Sequence, residues 1–142
     1  MQRRFLMTNR AIEIHDSDLG SLVVSDDVIT LNFDPAYIHQ SEGAPGTDAG
    51  TCWTQPIVIR LHGHVVNGGL HEMPCSLWDG HLILNGTLHD NLIPIPLNVE
   101  GEIELSLASV PGESVTLRGN RITLEVIGDR NYIENSPSSR LR

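Results

Sequence analysis

Histidine followed directly by aspartate occurs twice, in EIHDSDL at residues 13–19 and in TLHDNLI at residues 87–93. An imidazole beside a carboxylate can relay protons or share a divalent cation. His15, Asp16, His89 and Asp90 therefore form one candidate set for zinc or another divalent metal, provided the fold brings the two pairs together. The plainer reading, which we adopt, is that each pair ends a strand and that Asp16 and Asp90 bond nearby backbone N–H groups as turn residues do.

A second set lies in LHGHVVNGGLHE at residues 61–72. Residues two apart on a strand share a face, so His62 and His64 are placed to chelate together, with His71 or Glu72 as a third ligand beyond the Gly68-Gly69 bend. Arg60 belongs to the same face, and its permanent charge repels a cation. No metal is therefore favoured, and the expected cofactor is none.

Composition removes other chemistries. All nine basic residues are arginine, so Schiff-base catalysis, pyridoxal anchoring and lysine-dependent phosphate loops lack their amine. No Gly-x-Ser-x-Gly elbow occurs. Cys52 and Cys75 are far apart, without Cys-x-x-Cys spacing or a secretory signal before them, which is the pattern of reduced thiols in a cytoplasmic protein, with one stapling disulfide left open. Both read as buried or incidental, although a histidine could approach Cys52 in space. A net charge of −9 argues against nucleic acid and anionic membranes. Residues 11–59 hold eight acids and no arginine, so one half of the chain presents a negative field.

Positioning these groups falls to strands. Ile29, Leu31 and Phe33 alternate with polar residues, as do Ile57, Ile59 and Leu61, then Ile93, Ile95, Leu97 and Val99, and then Ile103, Leu105 and Leu107. The beat continues through Val115, Leu117, Ile122, Leu124 and Val126. Asp79-Gly80, Glu100-Gly101, Pro111-Gly112 and Gly119-Asn120 read as hairpin joints. They imply a meander over residues 92–127, whose first strand Pro94 and Pro96 place at a sheet edge. The expectation is one all-β domain over residues 1–142, with 1–10 and 135–142 loosely ordered. Its architecture is an antiparallel β-sandwich or partly open barrel of roughly eight to ten short strands. AYIHQS at residues 36–41 is echoed by NYIENS at residues 131–136, a weak internal repeat.

The stretch QSEGAPGTDAGTCWT at residues 40–54 has no apolar periodicity and reads as a long binding loop. Tyr37 and His39 lead into it, Asp48 lies within it and Trp53 closes it. These four are the expected binding residues. Trp78 reads as a core anchor, and Trp53 as either core or contact.

IHDSDL at residues 14–19, followed by SLVVSDDVITLNF at residues 21–33, resembles the opening of small, acidic, mostly β bacterial proteins of uncharacterised families. Some of these are described as immunity proteins of polymorphic toxin systems. The resemblance spans about the first quarter of the chain. It implies an all-β fold and, for some members, neutralisation of a toxin by direct binding, with no catalytic residues. The expected function is thus a non-catalytic module that binds a protein, basic if the acidic half faces it. The alternatives are a metal-dependent activity at the His/Asp clusters and a structural subunit that forms homo-oligomers through its edge strand.

Overall fold

The computed structural model describes residues 8–110 and 112–138. Arg3, Arg4, Pro111 of the Pro-Gly joint and the last four residues of the tail lie outside them. Ten strands and no helix make up the regular structure of the described residues, so none of their helices is long and apolar enough to cross a membrane. The strands are β1 (Asn9–Glu13), β2 (Asp18–Ser25), β3 (Val28–Ser41), β4 (Gly50–Gly68), β5 (Cys75–Leu84), β6 (Thr87–Asp90), β7 (Leu92–Ile95), β8 (Asn98–Val110), β9 (Ser114–Val126) and β10 (Asn131–Ser136).

All pairings are antiparallel and join one sheet, in the order β10-β4-β9-β8-β5-β2-β3-β1-β7, with β6 on β5. A further pairing of β3 with β4 brings the path back on itself. The sheet becomes ring-like, yet it is not a closed barrel, because β2 meets β5 through only Asp18↔Ser76 and Leu19↔Cys75. Of the two expected architectures, this is the partly open barrel. The alternating residues pack inward as one core that includes Ile12, Leu31, Phe33, Ile59, Leu61, Leu82, Leu105 and Leu117.

The strands are fewer breaks and more length than the glycine pattern indicates. Four of them run for 13 to 19 residues. Asp79-Gly80, Glu100-Gly101 and Gly119-Asn120 are not hairpin joints but lie inside β5, β8 and β9, at or directly beside points where the register shifts. An extra residue there bends and twists the strand, which a sheet needs in order to curl round a core. A sharp turn does form at Asn85-Gly86, where φ is +49° and +85° and β5 reverses into β6. Asn-Gly is the dipeptide that such a two-residue turn favours.

The meander is also corrected. β7 pairs with β1, and β8 lies between β5 and β9, so within residues 92–127 only β8 and β9 are sequential neighbours. The edge position of the proline-bearing strand holds, since β7 ends the path. Asn9 and Arg10 belong to β1, and Asn135 and Ser136 to β10.

Candidate functional site

Strands β1, β3, β4 and β10 lie side by side in that order, and their register decides which side chains meet. His39 is directly opposite Cys52, which is opposite Glu134 on the far side of β4. Tyr37 is opposite Glu13, two residues along from His39. Opposed residues share a face, and successive ones alternate between faces. Ile12, Ile38 and Trp53 therefore turn toward the core, and Glu13, Tyr37, His39, Cys52 and Glu134 share the other face.

On that face the side chains form a connected group. His39 Nε2 is hydrogen-bonded to the Glu13 carboxylate, and His39 Nδ1 lies 3.5 Å from Cys52 Sγ. A carboxylate can only accept, so an imidazole with a single proton would carry it on Nε2 and turn its Nδ1 lone pair to the thiol. The Tyr37 hydroxyl donates to Glu134 Oε1 at 3.0 Å. Burial, and then the neighbouring Cys52 and Glu134, push the phenol's ionisation well above its usual range. Cys52 is 2% exposed, and Glu13 and His39 are largely covered.

At the rim of the other face, Trp53 meets Tyr132 edge-on at 5.3 Å between centroids, and the Arg130 guanidinium lies over its ring. Trp53 Nε1 donates to Thr51 Oγ1 at 2.7 Å, and Arg130 Nη1 to Gln40 Oε1 at 2.9 Å. Tyr132 and Ile133 on β10 are 52% and 47% exposed.

The expected binding residues thus lie on strands, apart from Asp48. The loop itself is shorter than the polar composition indicates: β3 runs to Ser41 and β4 begins at Gly50, leaving residues 42–49. Asp48 closes that turn by accepting the Ala44 N–H at 2.7 Å. Trp78 is half exposed rather than a core anchor, and its carbonyl bonds His15 Nδ1.

The two His-Asp pairs come near one another through Asn91. Its carbonyl accepts from the N–H of Ile14, and its side chain accepts from that of His15. Asp16 adopts the left-handed turn conformation, with φ at +83°. His62 and His64 are exposed on β4, opposite Arg121 and Arg118. The backbone N–H groups of His71 and Glu72 both donate to Glu113 Oε1. Among the described residues, no three His, Cys, Asp or Glu side chains gather in a way that could hold a metal ion. Cys52 and Cys75 are both free thiols. A surface depression of about 500 Å³ elsewhere is lined in part by Glu102, Glu104 and Arg118. Glu104 binds His81 and Arg118, which hold its carboxyl below the usual range.

Sequence reasoning missed Glu13, Arg130 and Glu134, yet one signal pointed to Glu134. AYIHQS and NYIENS flank the same five residues of β4, so that Ile38 and Tyr132 both face Trp53, His39 and Glu134 both face Cys52, and Ser41 and Ser136 both face Gly50. The echo marks two strands that bracket one site. No family model, curated protein or solved structure matches this chain.

Proposed function

We propose that this protein is a binding module that receives an extended segment of a partner protein along the free edge of β10, beside Trp53, Arg130 and Tyr132. One observation carries the reading: β10 pairs only with β4 among the described residues, and its open side comes with exposed Tyr132 and Ile133. An unpaired strand presents a row of N–H and C=O groups that an added strand can satisfy, while side-chain contacts supply specificity. Tryptophan, tyrosine and arginine are the residues that most often dominate binding energy.

The opposite end of the sheet supports the choice by contrast. There β7 carries Pro94, which has no N–H to offer, whereas β10 (NYIENS) contains neither proline nor lysine to block addition. The net charge of −9 favours a basic segment and steers its approach. Neutralisation of a toxin, as the resemblance of the opening motif implies, would be one use of this edge.

Panning a displayed random-peptide library on the purified protein tests the reading. The expected winners are basic peptides of alternating apolar pattern whose binding is lost in Ile133→Asp, which melts like the parent, and weakened in Arg130→Ala, which stays folded with a stability loss of no more than about 1 kcal/mol. Failure to enrich any peptide, or peptides that bind both variants unchanged, rejects it. A defined dimer abolished by Ile133→Asp would instead support the assembly-subunit reading.

A further inference from the structure

We propose that Cys52 is a nucleophilic thiol that reduces small peroxides, with His39 as its base and Glu13 as the residue that positions the imidazole. This activity is independent of the β10 edge.

The argument rests on order and rigidity. Carboxylate, imidazole and thiol stand in sequence, each bonded to the next, on three adjoining strands. A base within reach of a thiol, itself held by a third group, is the arrangement that activates a cysteine. The sheet register sets these partners, so the geometry does not depend on a mobile loop.

Burial selects the electrophile. With Cys52 only 2% exposed, a polypeptide or bulky ester has no approach, whereas a peroxide of a few atoms can enter through local opening. In the step, the thiol proton passes to His39 Nδ1 and the sulfur attacks one oxygen of hydrogen peroxide. The O–O bond breaks, and the departing hydroxide takes the proton back from the imidazolium. Cys52–SH and H₂O₂ become Cys52–SOH and H₂O; sulfur loses two electrons and peroxide gains them. Cys75 lies on β5, which does not adjoin β4, so return to the thiol takes an external thiol reductant.

Cys75 is the internal control. It is 8% exposed and therefore less covered than Cys52, but its sulfur faces the Met73 thioether, and burial together with Glu113 and Asp18 pushes its thiol up. Exposure alone ranks Cys75 as the faster site, and the proposal ranks Cys52.

The experiment treats the intact protein with hydrogen peroxide, removes the peroxide with catalase, unfolds the chain in urea containing dimedone so that burial does not limit the trapping of sulfenic acid, and quantifies both cysteine peptides by mass spectrometry. Cys52 is expected to react at least about tenfold faster than Cys75 at neutral pH, and His39→Gln to bring it down to the Cys75 rate. Glu13→Gln should move the pH profile of Cys52 sulfenylation upward, a readout that a merely structural carboxylate would leave in place. Equal rates for the two wild-type cysteines overturn the proposal without recourse to any variant. An unchanged rate in folded His39→Gln, or a pH profile that Glu13→Gln leaves in place, overturns it as well.

Discussion

The guanidinium carbon of Arg130 lies 4.3 Å from the centre of the Trp53 ring, which joins the β9–β10 connection to β4. A cation over an indole at a solvent-accessible site contributes about 0.5–1 kcal/mol. Arg130→Met keeps much of the side chain and loses the charge, so its urea midpoint should fall by that equivalent. A double-mutant cycle with Trp53→Leu should return the same coupling, and a coupling near zero would remove the interaction from the account.

Ser17 is fully buried where β1 and β3 part. Its hydroxyl donates to the Glu13 carbonyl at 2.6 Å and accepts the Tyr37 N–H at 2.9 Å. Ser17→Ala leaves that N–H without its partner, at a cost of about 1–3 kcal/mol in chemical denaturation. A loss of only a few tenths would mean that water replaces the hydroxyl.

Two glycines are required for different reasons, and substitution separates them. A Cβ on Gly63 would stand 1.9 Å from the Arg118 carbonyl oxygen, whereas one on Gly86 meets nothing within 4 Å but inherits φ +85°. Gly63→Ala and Gly63→Asn should both destabilise by about 1–3 kcal/mol or more through displaced backbone. At Gly86, alanine should cost about 1 kcal/mol and asparagine less, because asparagine tolerates the left-handed region.

Glu104 links stability to acid. Hydrogen bonds from His81 and then Arg118 lower its folded-state ionisation below the ordinary 4.5. Such a group stabilises fully above the unfolded value, and the contribution is lost as pH falls through the folded one. The stability gap between the parent and Glu104→Gln should therefore be constant near neutrality and shrink below 4.5 in denaturation series. A gap independent of pH would refute the linkage.

His15 behaves in the opposite sense. The Trp78 carbonyl, and to a smaller extent Asp16, raise its ionisation above 6.5. Its contribution is complete below 6.5 and disappears as pH rises through the raised value. An NMR titration should place the ring above 6.5, and Asp16→Asn should remove only part of the shift. A shift abolished by that variant would assign the cause to Asp16 instead.

Much of the fold was legible because alternation is local. Ile29, Leu31 and Phe33, or Ile57, Ile59 and Leu61, declare an inward face within five residues, whatever lies elsewhere in the chain. Bulge and turn were not separable by composition, since both use glycine beside a small polar residue, and Gly119-Asn120 stays in a strand while Asn85-Gly86 reverses one.

The amino-acid sequence by itself determined an acidic, lysine-free, all-β chain and the inward set of each strand, because side-chain period is a property of the backbone at each residue. Tertiary structure alone decided that Glu13 reaches His39 and that His39 reaches Cys52. Which strands become neighbours, and in what register, is set by the joint burial of every apolar face as the sheet curls round one core. That choice is global, and no single stretch of the chain contains it.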